Sequence, residues 1–272
     1  MFEEMSETTL RLVAFVGIFL IMAAFEVTIP RRDLVLGRRG RWVTNLAIVV
    51  LDSVMVRVLF PVVAVGAAFW AASAGYGLFN WLGLSGWAAG LAGFLILDFA
   101  IWAQHLAAHK IPILWRVHRV HHSDRDIDVS TALRFHPIEI VLSMLFKIAV
   151  VVAFGVPAFA VFVFEVVLNG MAMFNHANVR LPLWLDRVLR LVVVTPDMHR
   201  VHHSIIHRET DSNYGFNLSI WDRMFSTYIP QPRDGHDGMT IGLSEYQSED
   251  PARIVWALAF PFKPMRKRGG DQ

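Results

Sequence analysis

Residues 138–169 read IEIVLSMLFKIAVVVAFGVPAFAVFVFEVVLN, an apolar run interrupted by three charged side chains, Glu139, Lys147 and Glu165. As one straight helix these 32 residues would run about 48 Å, against about 30 Å of bilayer hydrocarbon. That is too long for a single crossing. Gly155 and Pro157 stand in its middle, residues that end one helix and begin another. The stretch therefore predicts a helical hairpin that dips into a membrane and returns, with His176 back on the side where the other histidines lie.

Upstream, Leu12–Ile29 is an 18-residue apolar run broken only by Glu26, about the shortest length that spans a bilayer. The loop at 31–41 carries five arginines against one aspartate, which the positive-inside rule places in the cytoplasm. Trp42–Ala74 is apolar but holds Asn45, Asp52 and Arg57. Its first half is expected to lie against protein or at the interface, and Val58–Ala74 to cross, bent at Pro61 and Gly66. Leu78–Ala103 then returns, flanked by Trp81, Trp87 and Trp102, residues favoured at membrane interfaces. Leu183–Val194 is a shorter, interfacial stretch. The basic tail Lys263…Arg266-Lys267-Arg268 is again expected inside. The fold class is all-α: an integral membrane bundle of about four transmembrane helices in two hairpins, with a cytoplasmic histidine-rich cap. Three parts are expected: a transmembrane region over 1–91, the histidine-bearing domain over 92–228, and a C-terminal cytoplasmic tail over 229–272.

Composition agrees. Of 272 residues, 55 % are hydrophobic and 18 % charged, with mean hydropathy +0.45, greasier than soluble domains. A net charge of +2 is too small to argue for nucleic acid. The absence of cysteine excludes disulfides and cysteine-ligated zinc or iron–sulfur clusters. The acidic start MFEEMSE does not resemble a cleavable signal peptide.

The chemistry lies in histidine spacing. His199-Arg200-Val201-His202-His203 repeats His118-Arg119-Val120-His121-His122 residue for residue, and His105 and His109 stand four apart. Positions i, i+3 and i+4 share one helix face, so each pentapeptide aims three imidazoles one way. Neutral imidazole is the commonest metal ligand, and this many exceed one ion's needs. Two metal ions close together are expected. His207 and His236, in polar loops, are expected to be ordinary surface residues.

The ordered elements HLAAH (105–109), HRVHH (118–122), RFHPIE (134–139), NHANV (175–179), TPDMHRVHH (195–203), NYG (213–215) and WDRMFSTY (221–228) resemble the fatty acid hydroxylase/sterol desaturase superfamily. The likeness runs from about Ala92 to Tyr228, and its branch is similar to alkylglycerol monooxygenase-like and bacterial sterol-desaturase-family proteins. It implies a membrane di-iron oxygenase that uses O2 and two electrons to hydroxylate or desaturate a fatty acyl, alkyl-glycerol or sterol-like lipid. With no haem or flavin motif in the chain, electrons would come from a ferredoxin or cytochrome b5-like donor, and the setting implied is a bacterial inner membrane. Some relatives carry HxxxH in the third box, whereas here the residue four before His176 is Ala172. His136 is expected to take the missing place, so that His136 and His176 bring the ligands to ten. Asp98, seven residues before His105 on the same helical face, is expected to accept a proton from a ligand imidazole and fix its tautomer. NYG and WDRMF are expected to fold the cap rather than touch substrate. A membrane zinc-dependent hydrolase is the first alternative, disfavoured because no HExxH supplies a base. A metal transporter is the second, disfavoured because transport sites usually lie at the bilayer midplane.

Overall fold

The computed structural model describes residues 6–60 and 62–265. Pro61 and the basic residues Arg266–Arg268 fall outside the described residues. Among those described, the elements are helices and loops, with three isolated β-bridges in place of strands.

The first helix, α1 (Glu7–Thr28), starts at Ser6, whose Oγ accepts the Thr9 N–H at 3.2 Å. One face, with Leu12, Val16, Leu20 and Phe25, is exposed as lipid contact demands, while Phe15, Ile18, Phe19 and Met22 pack inward. The following α2 (Arg39–Leu59) differs in its first half. Arg41, Thr44, Asn45, Ile48 and Asp52 are buried against protein, in keeping with the polar residues in that stretch. A break then leads to α3 (Ala64–Ser73), where Ala64, Ala67, Ala68 and Ala71 are all buried. These small side chains let α3 approach its neighbours closely.

A short α4 (Leu78–Trp81) precedes the long α5 (Gly86–Lys110), and Pro112 at the first helical position opens α6 (Pro112–His122). The 138–169 run forms the hairpin its sequence predicts, as α7 (Pro137–Phe154) and α8 (Ala158–His176). Gly155 closes α7 in the left-handed conformation, φ +66°. It packs so tightly on Gly77 (φ +100°) that a Cβ added there would sit 2.3 Å from the Gly155 nitrogen, so the two glycines fix the turn where α4 meets the hairpin. Ala64, Leu97, Val151, Val161 and Phe164 from four helices form the core beneath it.

Five stretches are long and apolar enough to cross a membrane, including α1, α5, α7 and α8 and the segment from Arg39 to Trp81. This exceeds the four or so expected, because each hairpin arm is itself 18 or 19 residues long. The chain is an integral membrane protein.

At one end of the bundle the last turns of α1, α5 and α8 meet the first turns of α2 and α7. A buried ionic network ties them together. Arg41 donates to Asp124 at 2.5 and 2.8 Å and to Asp128 at 2.7 Å. Arg134 reaches Asn45 at 3.0 Å and the Val120 carbonyl at 2.9 Å. The Glu26 carboxylate, from α1, accepts the backbone N–H groups of Val129 and Asn178 at 2.6 and 2.8 Å. Each buried charge is met by several partners, the condition under which such a network rigidifies rather than weakens. It holds the loop between α6 and α7 against the bundle.

Beyond α8 the chain forms a cap. In α9 (Leu183–Leu189) and the turn after it, Leu183, Trp184, Val188, Leu191 and Val192 point outward, while Asp186 turns inward to Arg190 and to the Thr195 hydroxyl. Thr195 then caps α10 (Pro196–His202), its Oγ1 accepting the Met198 N–H at 3.3 Å.

Candidate metal centre

Four helix ends deliver histidines to one buried volume. His105 and His109 come from the last turns of α5, His118, His121 and His122 from the end of α6, His176 from the end of α8, and His199, His202 and His203 from α10 and its cap. All nine are under 10 % exposed. They sort into two groups whose ring nitrogens lie within 4.8 Å of one another: His105, His109, His118, His122 and His202 in the first, His121, His176, His199 and His203 in the second.

Helix geometry explains the sorting. At 100° per residue, i+4 lies about 40° to one side of i and i+3 about 60° to the other. In the first pentapeptide His118 and His122 therefore enter the five-membered group while His121 swings to the four-membered one. In the second, His199 and His203 enter the four-membered group and His202 crosses to the other. Each repeat lends its middle imidazole to its counterpart's site. The expectation that three imidazoles of a repeat aim together holds for the face and not for the destination.

Outer hydrogen bonds set the tautomers. Nδ1–H of His105 donates to the Tyr214 carbonyl at 2.7 Å, of His202 to the Ser212 carbonyl at 2.6 Å, and of His176 to the Ala172 carbonyl at 2.8 Å. His118 Nδ1–H donates to Glu139 Oε1 at 2.6 Å, and His109 Nδ1 lies 3.5 Å from Asp211 Oδ1. A neutral imidazole bonded through Nδ1–H presents an Nε2 lone pair inward.

This makes the test for a metal ion concrete. The Nε2 atoms of His105 and His118 are 3.1 Å apart, and both rings have spent their proton on an outer acceptor. Two lone pairs face each other at that distance. His176 Nε2 has the same 3.1 Å spacing to Nε2 of both His121 and His199, one lone pair against two neighbours. Nε2 of His202 and both nitrogens of His122 and His203 are buried with no hydrogen-bond partner. A cation in each group takes one lone pair from every ring, including the facing Nε2 atoms of His105, His118, His121, His176 and His199, and the donor set fits it.

Burial, followed by the neighbouring imidazoles, holds His121, His122, His199 and His203 far below the ordinary imidazole value, and burial does so for His202 despite its bond to Ser212. They stay neutral, the form that ligates. Aromatic rings line the volume, Trp115 and Tyr214 against the five-membered group and two phenylalanines beside them. Phe135 stacks on His121 with centroids 4.4 Å apart. Phe216 lies 4.9 Å from His105 and 5.7 Å from His199, so one ring touches both groups.

The structure places the remaining candidates elsewhere. His136 joins neither group. It caps α7, its Nδ1 accepting the Ile138 N–H at 3.2 Å while Nε2 lies 3.2 Å from the Leu258 carbonyl. Proline at 137 starts the helix there, and the ring is consumed by that start. Asp98 does not meet an imidazole either. Its carboxylate accepts Trp221 Nε1–H at 2.7 Å, because the seven-residue offset keeps it on the face of His105 but sets it about 10 Å along the helix from that ring. The acid that meets one of the nine imidazoles at hydrogen-bond distance is Glu139, in the RFHPIE element, where its spacing from His118 gives no sign of the contact. His236 is buried beside Asp197 rather than on the surface, whereas His207 is partly exposed next to Asp211.

NYG and WDR do fold the cap, and by doing so they position His105. Asp222 accepts the N–H groups of Tyr214 and Gly215 at 2.8 and 2.9 Å and Trp102 Nε1–H at 3.1 Å. Asn213, at φ +49°, donates to the Met198 and Ile229 carbonyls. The Tyr214 carbonyl that receives His105 is thus fixed by the aspartate of WDR.

Comparison with known proteins agrees with this centre. The family model described as fatty acid hydroxylase matches residues 90–227. An alkylglycerol monooxygenase of Xenopus tropicalis is 34 % identical over 57 % of the chain and 33 % of its own length. The ornithine lipid hydroxylase OlsE of Rhizobium tropici is 34 % identical over 52 % of the chain and 42 % of its own length. A human alkylglycerol monooxygenase is 32 % identical over 63 % and 37 %. The chain thus covers about a third to two-fifths of these relatives. No solved structure matches it.

Proposed function

The chain belongs to the fatty acid hydroxylase family, and on that premise we propose that it is a membrane-bound di-iron oxygenase that uses O2 and two electrons to hydroxylate a lipid. The observation that carries this reading is the division of nine imidazoles into two adjoining groups at the end of apolar helices. The five-membered group would hold one iron and the four-membered group the other. Bound there, iron supplies the chemistry of O2 activation that imidazole and carboxylate side chains lack.

The chain's own residues do the rest. Nδ1 bonds from His105, His118, His176 and His202 keep four ligands oriented, so little reorganisation accompanies turnover. Phe135 and Phe216 keep water from the centre. Phe216 also packs against the apolar core between the helices, which makes that side the approach for a chain arriving from the bilayer. The substrate is a fatty acyl, alkyl-glycerol or sterol-like lipid, in line with the relatives described as alkylglycerol monooxygenase and ornithine lipid hydroxylase. Hydroxylation is favoured over desaturation for the same reason. Electrons come from a separate ferredoxin or cytochrome b5-like protein. The histidine end faces the cytoplasm of a bacterial inner membrane.

Purified protein is expected to hold two irons per chain, and lipid extracted after incubation with 18O2 and a reducing donor to gain one labelled oxygen. Full activity with a single zinc, or a product without the label, overturns the assignment.

A further inference from the structure

The two repeats share an arginine at their second position, and the structure treats the two copies differently. Arg200 forms an ion pair with Asp197. Arg119 is as buried, at 3 % exposure, yet no carboxylate lies within ion-pair distance of it among the described residues. Its Nη2 donates to the Phe260 and Lys263 carbonyls at 2.8 and 2.7 Å, and its guanidinium stacks over the Phe260 ring at 4.2 Å. Nε has no hydrogen-bond partner. A buried guanidinium lacking an anion is costly to keep.

Arg119 also lines a cavity of about 330 Å3 together with His109, Lys110, Trp115, Glu245 and Tyr246. His109 belongs to the five-membered histidine group, and its side chain is fully buried, so the cavity adjoins that group across His109. The Lys110 side chain is half exposed, its Nζ already 2.8 Å from Asp211, so Arg119 is the cavity's cation without an ion pair among the described residues, its carboxylate counterweight being Glu245 in the same wall. The volume suits a small polar group rather than a long chain, being at the low end of ligand sites.

We propose that this cavity binds an anionic group, a phosphate or carboxylate, with Arg119 as its principal counter-charge and Lys110 in support. The anion is either free or the headgroup of the lipid substrate. The second case rests on the hydroxylase reading.

The test is a binding titration of metal-loaded protein in dodecyl maltoside micelles, without O2 or donor, read by tryptophan fluorescence and thermal midpoint. The probes are inorganic phosphate, hexadecyl phosphate and uncharged hexadecanol. Hexadecyl phosphate is expected to bind about tenfold or more tightly than hexadecanol, the scale of one charge-assisted hydrogen bond. Arg119→Gln should remove that preference. Because Arg119 also tethers two carbonyls, Glu245→Gln provides the second variant: removing the carboxylate from the wall should tighten the charged probe and leave hexadecanol unchanged, a gain that misfolding does not produce. Phosphate binding as tightly as hexadecyl phosphate assigns the cavity to a free anion, and much tighter hexadecyl phosphate assigns it to a headgroup. No preference for either anion over hexadecanol overturns the proposal. Since no turnover is involved, failure of the hydroxylase assignment leaves this result standing.

Discussion

The two HRVHH repeats are the same five residues set in different surroundings. The first closes an 11-residue helix and the second a 7-residue one. His118, at the head of the first, is oriented by the Glu139 carboxylate, whereas His199, at the head of the second, has a buried Nδ1 with no partner. The arginine of the second pairs with Asp197, whereas that of the first has no ion pair among the described residues. Identical local sequence therefore yields the same helical face, while the neighbours decide charge, tautomer and stiffness. The histidine group built on the first repeat has five members and that built on the second has four.

The largest effect that can break this comparison comes from the exchanged imidazoles. His202→Ala and His121→Ala should each abolish turnover and lower bound iron, measured by metal analysis, while the helices stay inserted. Loss of metal from only the repeat's own group would contradict the exchange. Next comes the order of metal release. Under a chelator the four-membered group should empty first, and Glu139→Gln should reverse or narrow the gap by weakening the other group about 10- to 100-fold, read as two phases of iron loss. A variant that releases iron in one unchanged phase would argue against Glu139 as an orienting residue.

Smaller effects sharpen it. His136→Ala should leave iron content intact and cost about 1 kcal/mol of stability, the worth of a helix cap, read as a lower thermal midpoint. Iron loss in this variant would restore His136 to the ligand set. His236 offers a pH readout near the second repeat. Burial pushes it down to about 4 from an ordinary 6.5, against the pull of Asp197. The unfolded chain takes up this proton as pH falls below about 6.5, while the folded protein refuses it until about 4. Its contribution to stability is thus complete above that window and is lost on acidification through it. His236→Asn should flatten the decline of thermal midpoint between those values, and an unchanged decline would show that His236 takes no part in it.

Much of this molecule was legible before its structure. The length of the 138–169 run together with Gly155 and Pro157 determined a hairpin, because a bilayer has one thickness and a helix one rise per residue. The spacing of the histidine boxes determined that their imidazoles share a face, because helical periodicity is a property of the chain alone. What required the tertiary structure was the partner of each side chain: that His136 caps a helix, that Asp98 holds Trp221, that Glu139 orients His118, and that each repeat divides its imidazoles between two sites. Those outcomes depend on how helices distant in sequence are packed against each other, and no local spacing encodes the rotation at which they meet.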